Sequence, residues 1–202
     1  MRYSTAVFAN FGPGGRRGLI KINNRPMIEY VLEAVPDDSE EIFILSEAES
    51  KELYRELAQR YDAKLDETVP ETVDIRFQLE PFFRKTEYDA VLALPCDAPL
   101  LTREVTKFLT EIITKFSAGI PRPVFDKSEF GLASYRVNPF LEAMKEHPAM
   151  KMADLVKHVH NVLYISAQSF RVFDDKLRFL MRVQNQADAR RVAHLLQSLE
   201  ET

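Results

Sequence analysis

The chain has 202 residues, of which 46% are hydrophobic and 29% charged, proportions that are ordinary for a soluble globular protein. This composition excludes a disordered or fibrous chain, and the length suits a single α/β domain over residues 1–202. The 27 Lys and Arg against 31 Asp and Glu give a net charge of -4. We therefore expect no nucleic-acid partner, because neutralising a phosphate backbone needs a positive field.

No apolar run approaches the about 18 residues that a membrane-spanning helix needs. Residues 1–10 also lack the apolar stretch and cleavage site of a signal peptide. The single cysteine, Cys96, excludes an intramolecular disulfide and a cysteine-based zinc site. We therefore expect a cytoplasmic protein with no membrane partner, while the oligomeric state stays open.

The first part of the chain alternates predicted strands and helices. Apolar runs rich in β-formers predict strands over residues 3–9, 41–45, 63–65 and 90–94. Apolar spacing and start signals predict helices from Pro26 to about 35, and over 46–60, 73–83 and 104–116. Pro81 warns of a kink in the third helix, and Thr102 is the expected N-cap of the fourth. The run at 90–94 is apolar throughout, which is typical of a strand buried on both faces. These elements predict a three-layer α/β/α sandwich with a mostly parallel sheet.

From residue 118 onward the predicted strands and helices no longer alternate regularly. Further strands are predicted around 121–123 and over 131–137, 162–165 and 179–183. Further helices are predicted over 138–147, 152–158 and 187–199, the last with a clear apolar stripe.

The loop over residues 10–17 is the first candidate site, because ligands bind beyond the carboxyl ends of strands in an open parallel sheet. Its glycines let a backbone approach a ligand closely, and its N–H groups with Arg16 and Arg17 suit triphosphate oxygens. The alternative is a surface turn with solvated arginines. The loop is not a P-loop, since the GKS/T ending is absent.

The second candidate is Asp97, which follows the apolar strand between two prolines. Prolines stiffen the turn, and a carboxylate at that edge suits Mg²⁺, which prefers one or two carboxylates plus substrate phosphates. The alternative is that Asp97 caps the next helix, but Thr102 already serves as that cap. Asp66, after the third strand, could assist the metal or a ribose, although a solvated loop carboxylate is the simpler interpretation. Cys96 is expected to pack as a small apolar side chain.

Three segments resemble a known family. Residues 6–34 (with GLIKINNRPMIEYVLEA), 93–101 (ALPCDAPLL) and 179–192 (FLMRVQNQADARRV) are similar in order and spacing to nucleotidyltransferases, most of all the molybdenum cofactor guanylyltransferases. The resemblance implies a nucleotide-diphospho-sugar-transferase-like fold, with a nucleotide-binding half over 1–117 and an acceptor-side half over 118–202. It also implies GTP as substrate, with guanylate transferred to a phosphorylated small-molecule acceptor, molybdopterin, and release of pyrophosphate.

By position, the resemblance implies that Asp97 holds Mg²⁺ and that the backbone of Gly12, Gly14 and Gly15 faces the triphosphate. Arg17 stands where the family has its signature lysine, and it can grip two phosphate oxygens. Lys21 lies nearby but out of register.

The chain also departs from the family pattern. Residues 71–75 (ETVDI) carry acids where the family has a glycine-containing segment, and these should repel an anionic ligand. Arg182 and Gln184 stand in place of two asparagines. Two alternatives follow. One is a diverged, non-catalytic relative that binds a nucleotide or a partner protein. The other is a nucleotidyltransferase for another phosphorylated acceptor, such as a cobinamide, phospholactate or sugar phosphate.

Overall fold

A computed structural model describes residues 1–124 and 127–200 of the chain. Its strands are β1 (Tyr3–Phe8), β2 (Lys21–Ile22), β3 (Arg25–Pro26), β4 (Ile42–Ser46), β5 (Ala63–Glu67), β6 (Ala90–Pro95), β7 (Ala118–Arg122), β8 (Ala133–Arg136) and β9 (Val162–Ser166). Its α-helices are α1 (Met27–Glu33), α2 (Arg55–Arg60), α3 (Ile75–Lys85), α4 (Arg103–Ile112), α5 (Val137–Glu146), α6 (Met152–Leu155) and α7 (Gln186–Glu200).

One seven-stranded sheet organises the molecule, in the order β5-β4-β1-β6-β8-β7-β9. The pairs β5–β4, β4–β1, β1–β6 and β7–β9 are parallel, and β8 runs antiparallel to both of its neighbours. In this register Val7 lies beside Ile44 on one side and Leu94 on the other. The mostly parallel α/β fold expected from the sequence is therefore confirmed.

Both faces of the sheet are covered. Along β1 and β6 the buried side chains alternate: Val7 and Leu92 pack with α1, α2 and α4, whereas Phe8 and Val91 pack with α3 and α5. Each side chain of β6 is fully or almost fully buried, as its continuous apolar run predicts. The result is the predicted three-layer sandwich. A third, smaller apolar cluster joins α7 to Ile22 and Met27.

Some predicted elements differ from the structure. Residues 179–183 do not form a strand: a 3-10 turn over Arg178–Leu180 is followed by extended residues outside the sheet. Phe179 and Val183 are nevertheless fully buried, so their apolar character reflects packing against helices and loops rather than strand pairing. The helix predicted over 46–60 begins only with a 3-10 turn at Lys51–Tyr54, before α2.

Two smaller details of the prediction also change. Thr102 does precede α4, but its hydroxyl makes no capping hydrogen bond and is buried without a partner among the described residues. Helix α3 contains Pro81, as predicted, but runs over Ile75–Lys85 rather than over 73–83. Over residues 1–124 and 127–200, none of the helices is both long enough and apolar enough to cross a bilayer.

Candidate active site

The site forms where β1 and β6, adjacent and parallel, reach the same edge of the sheet. The Cys96 N–H donates to the carbonyl of Phe8 at 3.0 Å, so the turn after β6 starts beside the loop after β1. Gly18 packs that loop against the turn, since a Cβ added there would lie 3.2 Å from Cys96 Cβ. This contact brings the two segments singled out in the sequence to a common rim.

Asp97 lies at that rim between two arginines. Its Oδ2 accepts from Arg17 Nη1 at 3.3 Å, and its Oδ1 accepts from Arg182 Nη1 at 3.0 Å. The Asp97 side chain is 6% exposed, and those of Arg17 and Arg182 are 17% and 21% exposed. Both carboxylate oxygens are therefore engaged by half-buried guanidinium groups.

Two further carboxylates complete the network on its outer sides. Glu71 receives two parallel hydrogen bonds of 3.0 Å from the guanidinium of Arg17. Glu129 accepts from Arg182 Nη2 at 2.8 Å. The charges thus alternate from Glu71 through Arg17, Asp97 and Arg182 to Glu129. The Arg17–Glu71 pair is bidentate and all of the pairs are partly buried, so they hold these side chains more firmly than exposed ion pairs would.

Buried amides position Glu71. Asn10 is the second residue after β1 and is fully buried, and it donates from Nδ2 to the carbonyl of Val69 at 2.6 Å and to Gln78 Oε1 at 2.8 Å. Gln78 in turn donates from Nε2 to the carbonyl of Val73. The segment that carries Glu71 is therefore held at Val69 by Asn10 and at Val73 by Gln78 of α3. Of the two acids of this segment, which were expected from the sequence to repel anions, Glu71 holds Arg17 and Asp74 caps α3.

Arg182 is positioned by the backbone next to it. The N–H of Val183 donates to the carbonyl of Asp97 at 2.9 Å, and Val183 is fully buried. Asn185 then starts α7, because its Oδ1 accepts from the N–H groups of Ala187 and Asp188. The segment before α7 thus runs past Asp97 and points an arginine at it.

These groups line a cleft of about 400 Å³. Its charged members have mixed signs, and Phe11, Phe130 and Ile75 contribute apolar surface. The charged residues are Arg17, Glu71, Asp74, Asp97, Lys127, Glu129 and Arg182. A cleft with several polar groups converging beside apolar walls is typical of a small-molecule site.

The glycine loop is folded on itself. The N–H of Gly15 donates to the carbonyl of Gly12 at 3.1 Å, and the N–H of Arg17 donates to the carbonyl of Phe11 at 2.9 Å. Tyr54, fully buried, donates its hydroxyl proton to the carbonyl of Gly15 at 2.7 Å. Only Phe11 and Arg17 of this loop line the cleft, and Gly12, Gly14, Gly15 and Arg16 lie beside it.

Two other residues singled out in the sequence lie away from Asp97. Lys21, on β2, is exposed and borders a separate groove with Arg25, Glu29 and Arg60. Asp66 belongs to β5, which extends to Glu67, and it pairs with Lys85 at 3.0 Å. Strand β5 is at the edge of the sheet, separated from β1 by β4, so this carboxylate does not reach the cleft that contains Asp97.

Cys96 lies directly before Asp97 but points into the core. It is fully buried, and burial raises the pKa of its thiol well above the usual range, with the nearby Asp97 carboxylate adding to the effect. A thiolate is the reactive form, so this cysteine is inert at neutral pH. The prediction that it packs as a small apolar side chain agrees with this position.

Asp97 is the residue through which the cleft could hold a divalent cation. Within residues 1–124 and 127–200 no cluster of three or more His, Cys, Asp or Glu side chains could do so. A carboxylate at this edge fits Mg²⁺ chemically, because that ion is commonly held by one or two carboxylates together with substrate phosphates. The arginines now occupy both of its oxygens. The donor set therefore fits a cation that arrives with phosphate oxygens, not one held by protein alone.

Sequence reasoning did not place Arg182, Glu129 or Gln78 in the site. The sequence did show that an arginine stands at 182 where the family pattern has an asparagine. It did not show where that side chain points, because its orientation depends on the turn before α7. Glu129 belongs to an irregular segment with no motif, and Gln78 falls on a predicted helix face without distinguishing features.

Comparison with solved structures gives the fold a context. Molybdopterin-guanine dinucleotide biosynthesis protein A from Archaeoglobus fulgidus superposes with a TM-score of 0.72 and 21% identity, over 96% of this chain and 99% of that one. A 4-diphosphocytidyl-2C-methyl-D-erythritol synthase from Anaerococcus prevotii superposes with a TM-score of 0.72 and 13% identity, over 97% and 98% of the two chains.

A CMP:2-keto-3-deoxy-manno-octonic acid synthetase in complex with CTP also shares the fold, with a TM-score of 0.69 and 11% identity, over 98% of this chain and 100% of that one. No curated protein matches the chain. A family model does match, that of the MobA-like NTP transferase domain, over residues 11–162. This match spans the glycine loop, Asp97 and most of the sheet, and by it the chain belongs to the MobA-like NTP transferase family.

Proposed function

We propose that this chain is a nucleotidyltransferase that binds a nucleoside triphosphate and a phosphorylated small-molecule acceptor in the cleft around Asp97. The convergence of Arg17 and Asp97 at the ends of two adjacent parallel strands carries this proposal. Guanidinium groups suit phosphate oxygens, and a carboxylate suits the accompanying divalent cation. Membership of the MobA-like family supports the same reaction class.

The reaction we propose is most similar to transfer of GMP from GTP to molybdopterin. An oxygen of the acceptor's phosphate forms a new bond to the α-phosphorus, the bond between the α-phosphorus and its bridging oxygen to the β-phosphate breaks, and pyrophosphate leaves. Arg17 would bind the phosphates and stabilise the charge that develops on them. Asp97 would hold Mg²⁺, which when bound neutralises charge on the triphosphate and on the leaving pyrophosphate.

Titration calorimetry with GTP, CTP and ATP in the presence of Mg²⁺ tests this proposal. We expect GTP to bind, and Asp97→Ala to weaken binding tenfold or more, as expected for loss of a charge-assisted contact worth about 1.5–3 kcal/mol. Asp66→Ala is the matched control, because it removes a carboxylate outside the cleft. Release of pyrophosphate on addition of molybdopterin would then identify the acceptor. If no triphosphate binds with any divalent cation, the enzyme proposal is rejected.

A non-catalytic relative is the second candidate. One observation favours it: the fork of Arg17 is filled by Glu71, and both oxygens of Asp97 are filled by arginines. Such a protein would bind a nucleotide or a partner without releasing pyrophosphate. An active chain with a different phosphorylated acceptor is distinguished by the same assay, since it would release pyrophosphate with that acceptor and not with molybdopterin.

A further inference from the structure

Arg182 lines the cleft and directs its guanidinium at negatively charged oxygens, as a ligand-binding arginine does. Its guanidinium bridges two carboxylates, with Nη1 3.0 Å from Asp97 Oδ1 and Nη2 2.8 Å from Glu129 Oε2. Arg17 grips Glu71 with two parallel bonds of 3.0 Å. This fork geometry is the one with which guanidinium also binds phosphate. In the described cleft the carboxylates therefore occupy positions that phosphate oxygens could take.

We propose that Arg182 is a second phosphate-binding residue, and that Arg17 and Arg182 exchange Asp97 for the phosphates of the incoming nucleotide. Asp97 then becomes available to a divalent cation only after the nucleotide is bound. This inference rests on the proposed function and adds to it a binding residue and an order of events.

Charge explains the order. In the described state Asp97 has a guanidinium nitrogen at 3.0 Å from one oxygen and another at 3.3 Å from the other. A divalent cation approaching Asp97 alone would meet two positive groups in a half-buried site, where screening by water is weak. A triphosphate carries more negative charge than any single carboxylate of the cleft. It can therefore draw both arginines away and bring the cation with it.

The backbone beside Arg182 is anchored, so we expect the exchange to move side chains only. The N–H of Val183 stays bound to the carbonyl of Asp97 at 2.9 Å, so the base of the Arg182 side chain is anchored beside the turn. Only the long side chains of Arg17 and Arg182 need to rotate. Glu71 and Glu129 are partly exposed, with side-chain exposures of 30% and 19%, so they regain water when the arginines leave.

Binding of Mn²⁺, counted by electron paramagnetic resonance of the free ion, tests the shielding of Asp97. Without nucleotide, the wild-type chain should bind Mn²⁺ weakly, and the Arg17→Gln, Arg182→Gln double variant should bind it at least tenfold more tightly. The Arg190→Gln, Arg191→Gln double variant is the matched control. It makes the same change in net charge on the exposed face of α7 and should behave as the wild type does.

The phosphate-binding role is tested by calorimetry in metal-free buffer. Arg182→Gln should lower affinity for GTP about tenfold or more, and affinity for GMP much less, because GMP has fewer phosphates to engage. Arg182→Gln combined with Glu129→Gln keeps the net charge of the cluster unchanged, so a persisting loss there is due to the missing guanidinium. Arg182→Lys should restore part of the affinity, and thermal unfolding of each variant checks that it is folded.

The inference is overturned if the wild type binds Mn²⁺ without nucleotide as tightly as the double variant. It is also overturned if Arg182→Gln, correctly folded, keeps wild-type affinity for GTP. In either case a wild type that still binds GTP leaves the proposed function standing. If the wild type binds no triphosphate at all, the proposed function fails, and the phosphate-binding role of Arg182 fails with it.

Discussion

Replacing Gly15 with alanine should destabilise the fold by about 2–5 kcal/mol, for two separable reasons. Gly15 has a φ of +61°, a left-handed conformation that costs a residue with a Cβ about 1–2 kcal/mol. In addition, the new Cβ would lie 2.6 Å from Ser50 Oγ and 3.4 Å from the carbonyl oxygen of Ala9. Ser50 is buried and its hydroxyl donates to the carbonyl of Glu47, so it cannot yield freely. Overpacking of this kind costs about 1–3 kcal/mol more.

Gly14 provides the matched control. It has the same φ of +61°, but a Cβ there would meet nothing closer than Arg16 Nε at 4.0 Å. Gly14→Ala should therefore show the conformational cost alone, about 1–2 kcal/mol. The difference between the two alanine variants measures the contact with Ser50.

Urea unfolding of the wild type, Gly14→Ala, Gly15→Ala, Ser50→Ala and the Gly15→Ala, Ser50→Ala double variant checks this reasoning. In the double variant the clash is relieved, so the two substitutions should couple favourably by about 1–2 kcal/mol. Equal destabilisation by Gly14→Ala and Gly15→Ala, or additivity of the double variant, would show that the contact with Ser50 is not the cause.

Two further predictions concern the surroundings of the cleft. Asn10→Ala should lower stability by about 1–3 kcal/mol, because it leaves the buried Oε1 of Gln78 without its donor and frees the carbonyl of Val69. Limited proteolysis should then cut the segment around Glu71 faster than in the wild type, and an unchanged cleavage pattern would contradict the positioning role of Asn10. Burial raises the pKa of the Cys96 thiol, so the fraction of reactive thiolate in the native protein at pH 8 should be far smaller than in the unfolded chain. A thiol reagent should label Cys96 slowly in buffer and quickly in urea, and equal rates would place the side chain at the surface.

Local sequence patterns were sufficient to predict the three layers of the sandwich. The continuous apolar run at 90–94 predicted a strand buried on both faces, and β6 is such a strand. The prediction of a strand over 179–183 was wrong. A short apolar run without alternation does not distinguish a strand from an extended segment that packs under a helix. Thr102 was the expected N-cap of α4 from the sequence, yet its hydroxyl makes no hydrogen bond with the described residues.

The candidate site could be predicted in part. Because parallel strands end at one edge, the loop after β1 and Asp97 after β6 were expected together, and Arg17 lies 3.3 Å from Asp97. Asp66 was expected at that edge by the same rule, but the rule does not say how many strands separate two strand ends. The order β5-β4-β1 places Asp66 away from the cleft.

By itself, the sequence determined the sandwich, the glycine loop and the carboxylate held between prolines, because each depends on residues close together in the chain. Only the tertiary structure decided which charges surround that carboxylate. Arg182 is 85 residues from Asp97 and 53 from Glu129, and Arg17 is 54 residues from Glu71. Ion pairs over such separations depend on the direction in which each side chain leaves its loop. Packing of the whole fold sets that direction, and no local pattern records it.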